Sequence, residues 1–233
     1  MPAGTRVYAI GDIHGCLDQL EDLHAAIEAD ARAHPSERRV VVYVGDYVDR
    51  GPDSRGVLGL LIEAPLPGFE SVHLIGNHEA FMMQFLEDAS VFKPWVMNGG
   101  DATLRSFGLS PMGPGGDRAT RLQQQLRESL SPPEWSFFRD LRDYHVEGDY
   151  FFAHAGVRPG VPLTDQDPYD LMWIREPFLS STSDFGKVVV HGHTPYSEPD
   201  QHSNRVGIDT GAVYGGLLTA LVLEDDKQRF IQI

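Results

Sequence analysis

Apolar runs and helically spaced apolar positions take turns through the first third of the chain. A largely apolar run predicts a strand over 6–10, after which Leu17, Leu20, Leu23 and Ile27 recur at helical spacing until His34-Pro35 closes the helix. A second apolar strand follows over 39–44, and Val57, Leu58, Leu60 and Leu61 mark a second helix, stopped by Pro65 and Pro67. A third strand is predicted over 71–75. This β-α-β-α-β order implies a parallel sheet with right-handed crossovers, covered by helices on its faces.

The pattern then changes. Helices are predicted over 80–88, 102–107, 118–130 and 133–141, separated by Asn98-Gly99-Gly100 and by a Gly- and Pro-rich loop over 108–116. This stretch is too short and too broken to hold its own core, so it reads as a helical insertion or cap over about 80–142 within a single domain spanning 1–233. From Tyr144 the chain returns to strands, over 144–147, 150–153, 187–190, 205–208, 217–223 and 229–233. Short and turn-linked, they predict a second, mixed or antiparallel sheet packed on the first. The fold class is therefore α/β: a β-sandwich of two sheets flanked by helices, with a helical insertion.

Composition narrows the functional classes. With 41% hydrophobic and 23% charged residues in 233, the chain matches ordinary globular values, which disfavours disorder and coiled coils. A net charge of −15 provides no basic stripe for nucleic acid or anionic lipid, so neither is an expected partner. Cys16 is the only cysteine, which excludes an intrachain disulfide. The first six residues lack the apolar core of a signal peptide, and the longest apolar run, 217–223, falls far short of the ~20 residues that span a bilayer. Cytoplasmic residence is the expectation.

Three segments carry the chemistry: Gly11-Asp12-Ile13-His14-Gly15, Gly45-Asp46-Tyr47-Val48-Asp49-Arg50-Gly51 and Gly76-Asn77-His78-Glu79. Each follows a predicted strand, and ligands of open α/β sheets gather at the carboxyl ends of strands. Carboxylate, imidazole and amide oxygen together form a hard-to-borderline donor set suited to divalent Mn, Fe or Zn. The flanking glycines let the backbone turn sharply enough to aim neighbouring side chains at one point. The combination points to a two-metal phosphate-cleaving centre.

These segments, in this order, resemble the signature of the phosphoprotein phosphatase family of metallophosphoesterases, the serine/threonine protein phosphatases. Phe152-Ala153-His154-Ala155-Gly156, Trp173-Ile174-Arg175-Glu176, Gly192-His193-Thr194-Pro195 and Ile208-Asp209-Thr210-Gly211-Ala212 resemble its short bacterial and phage branch, typified by bacteriophage lambda protein phosphatase. The resemblance implies a metallophosphoesterase-type sandwich and two divalent metal ions, with manganese first and iron or zinc as alternatives. Asp12 and His14 would bind the first metal, Asn77, His154 and His193 the second, and Asp46 would bridge them. Arg50 and Arg175, with Asn77, would hold the substrate phosphate. His78, held by Asp49, would protonate the leaving group while a hydroxide bridging the metals attacks phosphorus directly.

The implied substrate is a phosphorylated protein or peptide, and eukaryotic-type regulatory subunits are not expected because the corresponding C-terminal part is missing. A close alternative is a dinucleoside polyphosphate hydrolase, since symmetrical diadenosine tetraphosphate hydrolases look similar at the first three motifs. A non-enzymatic phosphate-binding regulatory module is a third reading, disfavoured because every ligand and His78 are present. Substrate choice is expected to lie in the loops over 98–116. His191 and His193 would share a strand face, with His193 the ligand and His191 a packed residue. Glu79 reads as structural, Cys16 as a small packed residue, and His24, His34, His73, His145 and His202 as surface or core residues.

Overall fold

The computed structural model describes residues 1–112 and 117–233. Along the chain run β1 (Thr5–Ile10), α1 (Leu17–Ala33), β2 (Arg38–Tyr43), α2 (Ser54–Glu63) and β3 (Glu70–His73). A helical segment follows: α3 (Asn77–Glu87), α4 (Phe92–Trp95), α5 (Asp101–Ser106), α6 (Arg118–Ser129) and α7 (Pro132–Arg139). The remainder holds β4 (Tyr144–Glu147), β5 (Tyr150–Ala153), α8 (Pro168–Trp173), β6 (Val188–His191), β7 (Asp200–Gln201), β8 (Arg205–Gly207), β9 (Thr219–Glu224) and β10 (Lys227–Gln232). No helix among the described residues is long and apolar enough to cross a membrane.

Two five-stranded mixed sheets result, ordered β10-β9-β1-β2-β3 and β4-β5-β6-β8-β7. β1, β2 and β3 are parallel, as the alternating order implied. Period-two alternation splits each of these strands between two cores. Val7, Ala9, Val40 and Val42 face the second sheet, meeting Phe152, Val190, Val206 and Ile208. Tyr8, Ile10, Val41 and Tyr43 face the helices, where Leu20, Leu23, Ile27, Val57 and Leu58 pack. Burial on both faces is why these strands read as nearly continuous apolar runs. Phe85, Trp95, Leu126 and Phe138 of the helical segment join the same helix-side core.

One expectation fails. The strands predicted over 217–223 and 229–233 were assigned to the second sheet, but β9 pairs antiparallel with β1 and β10 with β9. β2 occupies only one edge of β1, and a buried strand must find partners for the backbone groups on its other edge too. β9 is buried along Thr219–Leu223, which suits it to that interior place. The charged and polar β10, with Lys227, Gln228 and Arg229 exposed, covers the new edge.

Two histidines of the helix-side core set a pH limit on stability. Tyr43 Oη lies 2.9 Å from His24 Nε2, and the His73 ring stacks on Tyr43 at 4.9 Å. Burial lowers both imidazoles from 6.5 to about 4. The unfolded chain therefore binds more protons than the folded one between these values, so stability is full above about pH 6.5 and is lost as pH falls toward 4. The urea midpoint should drop between pH 7 and 4.5, and replacing His24 with Gln should shrink that drop.

Candidate active site

The loops after β1, β2, β5 and β6 and the start of α3 converge at one end of the sandwich. Their backbone is unusual. Six described non-glycine residues have a left-handed φ, and five are candidate site residues: His14 (45°), Asp46 (55°), Asp49 (71°), Arg50 (67°) and His193 (65°). Each such conformation costs of order 1–3 kcal/mol unless its surroundings impose it. Glu79 supplies that constraint at the Asp46 loop. Its carboxylate is fully buried and accepts from the N–H groups of Gly76, Asp46, Tyr47 and Val48 at 2.8–3.2 Å. Burial pushes Glu79 up to about 8, opposed by those backbone donors. The sequence reading of Glu79 as structural holds, with a wider reach: it clamps the Asp46 loop onto α3. Glycine is required at Gly76, where a Cβ would lie 2.2 Å from Asp46 Oδ1.

Asp46 stands between two groups of side chains close enough to hold a metal ion each: His14, Asp46 and His78, and Asp46, His154 and His193. Its Oδ2 lies 3.4 Å from His14 Nε2, and its Oδ1 lies 3.4 Å from His154 Nε2. Burial disfavours a charged Asp46, but the surrounding imidazoles, His154 foremost, outweigh burial and hold its carboxyl below the usual range. Asn77 Oδ1 lies 2.9 Å from both His154 Nε2 and His193 Nδ1.

The tautomers are fixed from behind. His14 Nδ1–H donates to Val48 O at 2.8 Å, and His154 Nδ1–H donates to Val44 O at 2.9 Å. Both Nε2 lone pairs therefore face inward, toward the oxygens of Asp46 and Asn77. Burial lowers His14 to about 3 and His193 to about 2, and lowers His154 as well, so these rings are neutral at pH 7. Neutral imidazoles, a carboxylate and an amide oxygen crowd acceptor atoms together, and the donors that reach them, Arg50 Nη1 at His14 Nε2 and His78 N–H at Asp46 Oδ1, are few. A cation supplies what they lack, so the donor set fits divalent metals.

Asp12 is buried beside this centre but outside both groups. Its carboxylate accepts from His193 N–H at 3.0 Å and faces Asp209 and Asp46. Burial first, then those two negative neighbours, raises Asp12 well above the usual carboxylate range. Asp209, raised to about 6 chiefly by burial, was quoted in the sequence motif without a role. This concentration of buried carboxylates is a second feature that divalent cations would balance.

His78 differs from the other rings. Its Nδ1 is 2.8 Å from Asp49 Oδ2, and its Nε2 points inward, 4.0 Å from Asp46 Oδ2. Burial acts to lower it, but Asp46 and Asp49 prevail and raise it above 6.5. A ring that favours its proton suits a donor better than a ligand, which must bind unprotonated. Asp49 also accepts from Trp95 Nε1–H at 2.9 Å and Thr103 Oγ1–H at 2.6 Å. Neither residue was singled out in the sequence as support for Asp49, and both come from the helical segment. Thr103→Val should cost about 1.5–3 kcal/mol, the range for a hydrogen bond to a charged group. Denaturation of the variant would measure that loss.

Both arginines border the centre. Arg50 Nη1 lies 2.5 Å from His14 Nε2, and its guanidinium lies over the Tyr214 ring at 5.7 Å. Arg175 Nη2–H donates to His193 O at 3.3 Å. Arg50 N–H donates to Gly99 O at 3.0 Å, and a Cβ on Gly99 would lie 2.6 Å from Arg50 Cγ. The turn around Gly99 thus supports Arg50. Of the loop expected over 108–116, residues 113–116 lie outside the described residues.

His191 and His193 do not share a face, because β6 ends at His191 and the left-handed φ of His193 redirects the chain. His191 is buried against Phe178, with ring centroids 5.0 Å apart, as expected of a packed residue. Burial pushes the Cys16 thiol up to about 11, so it is not a thiolate nucleophile.

Residues 5–217 match the family model of the calcineurin-like phosphoesterases. The chain belongs to this family. The phosphoesterase is 28% identical over 238 aligned positions to the bis(5'-nucleosyl)-tetraphosphatase PrpE (asymmetrical) of Bacillus cereus, covering 91% of this chain and 88% of that one. It is 27% identical to the same-named protein of Bacillus anthracis with the same coverage. A crystal structure provisionally described as a diadenosine tetraphosphatase superposes with a TM-score of 0.63 at 26% identity, over 99% of this chain and 95% of that one. The cold-active protein-tyrosine phosphatase of a psychrophilic Shewanella superposes with a TM-score of 0.60 at 17% identity, over 100% and 82%, a likeness of fold alone.

Proposed function

We propose that this phosphoesterase hydrolyses dinucleoside polyphosphates of the diadenosine tetraphosphate type. The observation that carries the substrate class is the similarity, over nine-tenths of the chain, to proteins named as bis(5'-nucleosyl)-tetraphosphatases. This reverses the order of the two enzyme readings drawn from the motifs, in which a phosphorylated protein or peptide came first.

The site residues divide the work as follows. Asp12 and His14 would hold one divalent cation, Asn77, His154 and His193 the other, and Asp46 both, with manganese the first choice. When bound, two cations lower the pKa of a bound water and neutralise charge developing on the phosphoryl oxygens. Arg50 and Arg175 offer forked donors that orient the phosphoryl group. His78 delivers a proton to the departing oxygen, and Asp49 fixes its tautomer. The cations and two arginines dominate the local field, so a net charge of −15 is compatible with a polyphosphate substrate.

Turnover of diadenosine tetraphosphate and a phosphoserine peptide, each with Mn²⁺, tests this directly. The dinucleotide should be favoured at least about tenfold in kcat/KM, equivalent to about 1.4 kcal/mol of transition-state binding. Chromatography of the products distinguishes asymmetrical cleavage to ATP and AMP, the expected outcome by similarity, from cleavage to two ADP. A preference for the peptide would overturn the proposal and restore the protein phosphatase reading.

A further inference from the structure

Tyr169 and Tyr214 beside the metal-ligand cluster are equally exposed, but the Arg50 guanidinium already lies over the Tyr214 ring, which leaves Tyr169 on α8. Tyr169 and Trp173, four residues apart, stack with ring centroids 6.0 Å apart and planes at 22°. Trp173 stands edge-on to His193 at 6.2 Å and to Phe81 at 5.3 Å. Tyr169 is 65% exposed, so one face of its ring is open. A large aromatic left open at the mouth of a polar site has an unused stacking face, and every nucleobase has a complementary one.

The platform is held firmly. Asp167 caps α8 through Tyr169 N–H at 2.8 Å, Leu171 is buried, and Asp170 pairs with both Arg158 Nε and Nη2. Two residues beyond Trp173, Arg175 reaches the carbonyl of His193. Trp173 and the exposed Arg175 thus both meet His193 of the ligand cluster, with Tyr169 one ring farther out. A nucleotide with its phosphate at Arg175 and the cluster would carry its base toward Tyr169.

Charge fixes the direction. Tyr169 also lines a cavity of about 310 Å³ shared with Arg158, Asp165, Asp167 and Asp170. Arg158 is neutralised by Asp170, leaving Asp165 and Asp167 to make that cavity anionic. It repels phosphate, whereas carboxylates accept from ribose hydroxyls and an adenine amino group. Phosphate therefore points toward Arg175 and the base lies outward.

We propose that the open face of Tyr169, backed by Trp173, is the stacking subsite for one nucleobase of the substrate. This inference rests on the dinucleoside polyphosphate reading. Its test uses Tyr169→Ala and Tyr169→Phe, changes at an exposed position. The KM for diadenosine tetraphosphate should rise about 5- to 100-fold in Tyr169→Ala, the range for loss of one base-aromatic stack, and return to near the wild-type value in Tyr169→Phe. Inhibition of p-nitrophenyl phosphate hydrolysis adds a binding readout. AMP should inhibit the wild type more tightly than inorganic phosphate, and Tyr169→Ala should lose that advantage.

Unchanged KM and an unchanged AMP advantage in Tyr169→Ala, in an enzyme that prefers the dinucleotide, would overturn the stacking subsite and leave the substrate reading intact. A wild type that prefers the phosphopeptide and binds AMP no more tightly than phosphate would overturn both.

Discussion

Asp46→Asn should lower kcat/KM by about 10³-fold or more, because metal-ion stabilisation of the transition state is worth several kcal/mol. The substitution isolates the charge. Asp46 adopts φ 55°, and asparagine tolerates this left-handed region nearly as well as any non-glycine residue, so backbone strain does not confuse the result. Its side chain also keeps an oxygen for the His78 N–H bond of 3.1 Å. What disappears is the negative charge amid four buried imidazoles, the group placed to serve both metal sites. Elemental analysis should find the bound metal reduced together with activity, while thermal unfolding remains cooperative. Full metal content with full activity would remove Asp46 from its bridging place.

His78→Asn should lower kcat by about 10²–10⁴-fold on a poor leaving group, the usual span for general acid catalysis, with metal content unchanged. The size depends on how much the departing oxygen needs a proton. Phenyl phosphate, whose leaving group is basic, should show the full loss, and p-nitrophenyl phosphate a much smaller one. Equal losses on both would mean that His78 acts as a ligand or a positioning residue. The surroundings favour the acid: Asp46 and Asp49 raise its pKa despite burial, which favours persistence of its proton. That persistence depends on Asp49, whose own orientation depends on Trp95 and Thr103.

Much of the centre was legible because its chemistry is written in short segments. Asp12-Ile13-His14, Asp46 to Arg50 and Asn77-His78 each sit at a predicted strand end, and parallel strands bring their carboxyl ends to one edge. His154 and His193 joined through motif resemblance, and their nitrogens do meet Asn77 Oδ1. Trp95 and Thr103 were not legible as parts of the site. They lie 46 and 54 residues from Asp49 on short helices, where a tryptophan and a threonine look like ordinary core residues. Within the stretch over 98–116, Gly99 supports Arg50 and Thr103 supports Asp49, while Trp95 just before it also holds Asp49.

The sequence by itself determined which residues could carry the chemistry, and most of the strands and helices that present them. Those properties depend on hydrophobic period, turn residues and donor chemistry, all expressed within a few neighbouring positions. Tertiary structure alone decided that β9 closes the open edge of β1, that five site residues take a left-handed backbone, and that His191 turns away from the centre while His193 enters it. Pairing, strain and side-chain direction come from contacts between distant segments. Many partners fit a strand edge or a buried carboxylate equally well locally, and only simultaneous packing of both sheets and the helical segment selects among them.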